Sequence, residues 1–103
     1  MSYSLSPAAY RFLRKELDDL LWTKWDPIGV NDHVTAHGEY DGYAATISDM
    51  LINGESVDRI ADHLHWAASV NMGLSDASLD HAKRIAASAA AILTEARRIP
   101  SEA

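Results

Sequence analysis

The sequence predicts an all-α protein with a four-helix arrangement, mostly antiparallel neighbours, and a long structured corner after the first helix. Apolar residues recur at the three- and four-residue spacing of amphipathic helices. No segment alternates between apolar and polar residues as a half-buried strand would, and no glycine-rich βα turn occurs. With 103 residues, 48% of them hydrophobic, the chain is expected to form one helical domain over residues 1–103.

The first helix is predicted over residues 6–25. Ser6 suits the N-cap because its hydroxyl can accept a hydrogen bond from the first turn. Pro7 suits the first helical position, where its missing N–H costs nothing. The apolar residues that follow helical spacing are Tyr10, Leu13, Leu17, Leu20 and Leu21.

A structured corner is predicted directly after this helix, at the segment WDPIG. The residue before a proline resists the α conformation, and Asp26, Pro27 and Gly29 fit the first, second and fourth positions of a type I turn. Aromatic side chains flank the turn, and their expected role is to pack the helix ends together. The predicted structural motif consists of Trp25, Asp26, Pro27, Gly29, Tyr40 and Tyr43.

Three further helices are predicted, over residues 39–53, 56–72 and 76–98. Asn53 and Gly54 are typical of a helix end, and Ser56 suits the N-cap of the next helix. Either Ser75 or Ser78 suits the N-cap of the last helix. The residues expected to face inward are Tyr40, Tyr43, Ala44, Ile47, Met50 and Leu51, then Val57, Ile60, Ala61, Leu64 and Ala68, then Leu79, Ala82, Ile85, Ala86, Ala89, Ile92 or Leu93, and Ala96.

Negative charge is concentrated in the middle of the chain. Residues 26–80 contain ten acidic residues and one basic residue, Arg59, a net charge of −9 within a total of −6. Such a centre repels phosphate backbones and excludes nucleic acid as the expected partner. It favours a basic protein partner, bound without catalysis. The competing interpretation is that the negative charge only keeps a small protein soluble. The predicted partner-binding residues are Asp32, Glu39, Asp58, Asp62 and Trp66.

The chain contains no cysteine, so disulfides, thiolate metal sites and cysteine nucleophiles are excluded. The N-terminal segment lacks the basic and apolar pattern of a signal peptide, and no apolar window approaches the length of a bilayer span. A cytoplasmic protein that binds no membrane and needs no cofactor is expected.

A metal or small-ligand site is the alternative. His33 and His37 are four residues apart, the spacing that lets two imidazoles meet one ion if the segment is helical, and Glu39 and Asp41 follow closely. However, residues 31–38 are predicted to be a loop, and the general-base glutamate of a zinc-protease motif is missing. Solvated loop histidines are the competing interpretation.

Catalysis is not expected, because the sequence supplies no oxyanion hole, phosphate cradle or nucleophile elbow. No sequence context indicates activation of Ser48, Ser56 or Ser69. A homodimer through the last helix is a further possibility, since its small residues allow close packing, although a neighbour within the chain explains them equally well. The alanines of this face are Ala86, Ala89 and Ala90.

Over about residues 22–74, the segment WDPIGV followed by EYDGY and a glycine-broken helix pair ending at Met-Gly-Leu resembles a group of short bacterial proteins of unknown function. The resemblance implies a small cytoplasmic α-helical protein without established chemistry. Some members of the group are similar to immunity-type partners of bacterial toxins, which agrees with the acidic centre. In the group an acidic residue often precedes the Glu-Tyr pair, whereas here Gly38 occupies that position.

Overall fold

The computed structural model describes residues 5–25, 41–71, 73 and 78–99. Within these residues the chain forms four α-helices, two of which continue into a π-helix, and no strand. The all-α, four-helix prediction is therefore confirmed. The α-helices are α1 (Pro7–Leu20), α2 (Asp41–Ile52), α3 (Val57–Trp66) and α4 (Leu79–Arg97). Within the same residues, no helix combines the length and the apolar character needed to cross a bilayer.

Serine side chains begin three of the helices, as the sequence predicts. In each case the hydroxyl oxygen accepts a hydrogen bond from the backbone N–H three residues later, which satisfies a donor that has no partner inside the helix. The pairs are Ser6 with Ala9 at 3.2 Å, Ser56 with Arg59 at 3.2 Å, and Ser78 with His81 at 3.1 Å. The structure therefore selects Ser78 as the cap, and α4 begins at Leu79 rather than at residue 76.

The helices predicted over residues 6–25 and 56–72 continue to Trp25 and Asn71 in the described residues, but their final turns are π-helical. A first π-helix (Leu21–Trp25) continues α1, and a second π-helix (Ala67–Asn71) continues α3. In each, a hydroxyl donates to the carbonyl four residues earlier, from Thr23 to Asp19 at 2.7 Å and from Ser69 to His65 at 2.6 Å. These bonds compete for the carbonyl that an α-turn would offer to the N–H of the same residue, and they favour a bent or widened turn.

Gly54 ends α2 with both hydrogen bonds of a Schellman motif. Its φ of +83° lies in the left-handed region, which glycine adopts without the steric cost of a Cβ atom. The Glu55 N–H donates to the Met50 carbonyl at 2.9 Å, and the Gly54 N–H donates to the Leu51 carbonyl at 3.1 Å. The motif satisfies two terminal carbonyls of α2, and α3 begins after a connection of four residues, Asn53 to Ser56.

Helix α4 holds the arrangement together. It packs against α1, α2 and α3, and its contact with α3 is the most extensive. The side that faces its neighbours is rich in small residues, which allow close approach of the backbones. Its buried residues are Ala82, Ile85, Ala86, Ala89, Leu93 and Ala96. The alanine face considered for a homodimer is therefore covered within the chain at Ala86 and Ala89.

Two residues predicted to face inward do not. Val57 and Leu79 are each 38% exposed, and each is the first residue of its helix. Helical side chains lean back over the preceding turn. At the first position there is no preceding turn, so the side chain extends past the end of the helix into solvent.

Candidate functional site

The side of α3 that faces away from the core carries two carboxylates and a tryptophan. Ile60, Ala61 and Leu64 are buried on the inner side. On the opposite side, Asp58, Asp62 and Trp66 are exposed. We call these three residues the α3 outer face. It contains all of the predicted partner-binding residues that lie within the described part of the chain.

Helical geometry places the α3 outer face along one surface strip. Its members follow one another at four-residue intervals, each about 6 Å farther along the axis and rotated by about 40°. Helix α3 packs mainly against α4. No other described helix covers the rest of its surface to a similar extent. Exposure of the strip is therefore a consequence of the packing arrangement.

The charges of this surface are not balanced within the described residues. Arg59 is the single basic residue of α3 apart from its histidines, and its Nε pairs with Glu55 Oε2 at 2.7 Å. No described side chain forms an ion pair with Asp58 or Asp62. The strip consequently presents two solvated carboxylates, whose attraction for a cation is modest singly and adds up over several.

Trp66 stacks on His63. The ring centroids are 5.7 Å apart and the ring planes are inclined by 26°, as expected for residues three apart on a helix. Trp66 nevertheless remains 47% exposed. Sequence reasoning did not identify this pair, although the i, i+3 spacing of histidine and tryptophan was a usable signal.

His63 is neutral at neutral pH because burial lowers the pKa of its imidazole below the ordinary value of 6.5. Its Nε2 atom is buried and has no hydrogen-bond partner among the described residues. The imidazole therefore supports the indole as an uncharged ring. No positive charge on His63 competes for the negative face of the indole at neutral pH.

An exposed apolar side chain lies beyond Trp66. Val70, in the second π-helix, is 66% exposed and follows Trp66 by one turn. Large exposed side chains next to charged ones are common in protein interfaces, where tryptophan is enriched at the positions that contribute most to affinity. Sequence reasoning did not single out Val70, although its spacing of four residues from Trp66 was a usable signal.

The aromatic corner is a packing site in its described part. Trp25 is 4% exposed, and its indole meets the Tyr43 ring edge to face with centroids 5.6 Å apart. His81 Nε2 lies 3.2 Å from the Trp25 carbonyl oxygen and donates to it, which joins the end of the first π-helix to the start of α4. The remaining members of the predicted motif, Asp26, Pro27, Gly29 and Tyr40, lie outside the described residues.

The predicted metal or small-ligand site also lies outside the described residues. This applies to His33, His37 and Glu39, to the side chain of Asp41, and to the predicted partner-binding residue Asp32. Within residues 5–25, 41–71, 73 and 78–99, no three His, Asp or Glu side chains are grouped so that they could hold a metal ion.

The three serines considered for catalysis are engaged in their own helices. Ser48 donates to the Ala44 carbonyl at 2.8 Å, and Ser69 donates to the His65 carbonyl. The Ser56 hydroxyl accepts the N-cap hydrogen bond of α3. These bonds give each hydroxyl a structural role.

No family model, curated protein or solved structure matches the chain. The resemblance to short bacterial proteins therefore stays a prediction.

Proposed function

We propose that this chain is a non-catalytic interaction protein that binds a basic protein partner through the α3 outer face. The observation that carries the proposal is the placement of Asp58, Asp62 and Trp66 on one exposed strip of a helix whose inner side is buried. Carboxylates that have no ion-pair partner in the described part of the chain favour a cationic surface, and the tryptophan supplies an apolar anchor beside them.

The wider charge distribution supports a basic partner. Residues 26–80 carry a net charge of −9, which raises the rate of encounter with a positively charged protein and disfavours nucleic acid. Electrostatic complementarity of exposed groups acts chiefly on the association rate and weakens with salt. Complex formation that is faster at low ionic strength is therefore expected.

An immunity-type role is the specific form of this function that the resemblance implies. In such a role an acidic protein of the bacterial cytoplasm would cover a basic surface of a toxin. This part of the proposal has its support in the motif and in the negative charge of the centre.

The proposal can be tested by affinity capture from a lysate of the source organism, followed by reconstitution with the purified partner. The wild-type chain should bind a protein of high isoelectric point, and the Asp58→Asn/Asp62→Asn variant should bind it about 2- to 30-fold more weakly, since exposed ion pairs contribute about 0.2–1 kcal/mol each. Most of the loss should appear in the association rate.

The matched control removes the same charge from other helices. Asp49 on α2 and Asp80 on α4 are exposed and form no ion pair among the described residues, so Asp49→Asn/Asp80→Asn reduces the net negative charge equally without touching α3. Equal weakening by both double variants would show that net charge alone drives binding. Unchanged affinity of the α3 variant would refute the assignment of this face.

A further inference from the structure

We propose that the indole of Trp66 is the receptor for one cationic side chain of the partner, with the guanidinium of an arginine as the preferred ligand. The inference deepens the proposed function and rests on it. It concerns the chemistry that the α3 outer face recognises, and it assigns Trp66 a role different from that of a general apolar anchor.

The first support is the arrangement of the indole. One contact of the ring is with the His63 imidazole, at 5.7 Å and 26°, while 47% of the residue stays accessible. A stacked neighbour fixes the rotamer of the tryptophan, so less conformational entropy is lost when a ligand binds. An accessible indole face attracts a cation through its quadrupole, and tryptophan is the best of the aromatic residues in this respect.

The second support is the charge next to the ring. Asp62 precedes Trp66 by four residues on the same exposed strip, which is about 6 Å along the helix axis. A guanidinium can stack on an aromatic face and donate N–H groups from its edge to a carboxylate. The ammonium of lysine has no planar face to stack, so the pair of an indole and a nearby carboxylate favours arginine.

The third support is the regular spacing of the three residues along the α3 outer face. Asp58, Asp62 and Trp66 present three cation-attracting groups at intervals of about 6 Å. Alternate side chains of an extended peptide repeat at about 6.7 Å, and a helix repeats at four-residue intervals of about 6 Å. A partner segment with regularly spaced arginines therefore matches the three positions.

The test uses the full chain and three peptides of seven residues, in which arginine, lysine or citrulline alternates with alanine. Citrulline keeps the planar shape of arginine without its charge. Binding is followed by NMR at physiological ionic strength through the indole N–H signals of the three tryptophans. The Trp66 signal is identified by its absence from the spectrum of Trp66→Phe.

The arginine peptide should shift the Trp66 signal and bind more tightly than the lysine peptide, and the citrulline peptide should bind most weakly. Trp66→Leu, which keeps an apolar side chain without a π-system, should lose about 2- to 5-fold in affinity for the arginine peptide. Trp66→Phe should lose less, because phenylalanine keeps an aromatic face. Far-UV circular dichroism of both variants establishes that the helices are retained.

The outcomes separate this inference from the proposed function. Unchanged affinity of Trp66→Leu, together with weaker binding by Asp58→Asn/Asp62→Asn, would overturn the indole receptor and leave the acidic face standing. Weaker binding by Trp66→Leu alone would support the receptor and contradict the role given to the carboxylates. Unchanged affinity of both variants would overturn both.

Discussion

Gly42 and Gly54 offer a matched pair of glycine-to-alanine substitutions with opposite expected effects on stability. A Cβ atom added at either position meets no heavy atom within 4 Å, so steric clashes contribute to neither variant. Gly42 is exposed and is the second residue of α2, whereas Gly54 has a φ of +83°. The backbone conformation is therefore the main difference between the two sites.

The magnitudes follow from this difference. Alanine reduces the conformational freedom of the unfolded chain equally at both sites, which stabilises the folded state by about 0.4–1 kcal/mol where the native conformation suits it. At Gly54 the left-handed conformation costs an L-residue about 1–2 kcal/mol. Gly42→Ala should therefore raise the free energy of unfolding, Gly54→Ala should lower it, and the two variants should differ by about 1–2 kcal/mol.

Urea unfolding followed by far-UV circular dichroism measures both variants and the wild type under the same conditions. The expected difference corresponds to a separation of the melting temperatures of about 4–8 °C for each kcal/mol in a domain of this size. Equal stability of Gly54→Ala and Gly42→Ala would refute the reasoning. It would mean that the end of α2 relaxes to another conformation at no cost.

Two further predictions concern the core and the imidazole under Trp66. Leu64 is fully buried and Leu79 is 38% exposed. Leu64→Ala should therefore lower the free energy of unfolding by about 2–5 kcal/mol, and Leu79→Ala should lower it by clearly less. Denaturant titrations that give similar losses for the two variants would contradict the assigned burial. Burial lowers the pKa of the His63 imidazole below 6.5, so the unfolded chain binds a proton at this imidazole more tightly than the folded chain does. The contribution of His63 to the free energy of unfolding is therefore fully present above that pH and is lost as the pH falls below it. The wild type should thus lose stability relative to His63→Gln between about pH 7 and about pH 5, and a constant difference across this range would argue against a buried neutral imidazole.

Local signals in the sequence were sufficient for most of the fold. A serine N-cap and a glycine at a helix end each act within a single turn of the chain. The roles of Ser6 and Ser56 as N-caps and of Gly54 as the end of α2 could therefore be assigned from neighbouring residues alone. Apart from Leu79, the inward face of α4 was predictable for the same reason, because its period is set by the helix itself.

The π-helices could not be predicted from the same signals. Thr23 and Ser69 donate to the carbonyl four residues earlier in the two π-helices, but Thr46, Ser48 and Thr94 form the same type of bond inside α-helices. The bond therefore permits the wider turn without determining it. A hydroxyl bond of this kind therefore does not distinguish a π-turn from an α-turn in the sequence.

The candidate site was predictable only in part. The periodicity of α3 places Asp58, Asp62 and Trp66 opposite Ile60 and Leu64, and from this alone the three residues are expected to share a surface. Whether another helix covers that surface depends on how α3 packs against α4. The hydrogen bond from His81 to the Trp25 carbonyl joins residues 56 positions apart, and no local pattern indicates such a contact.

Among the described helices α3 packs mainly against α4, and this has a consequence for how the protein can change during evolution. Substitutions at exposed positions that support no other element usually alter the free energy of unfolding by less than about 0.5 kcal/mol. Selection can therefore replace the carboxylates of the outer strip, and so alter which partner is recognised, while α4 continues to hold the fold. Urea unfolding curves of Asp58→Asn/Asp62→Asn and of the wild type would measure this independence directly.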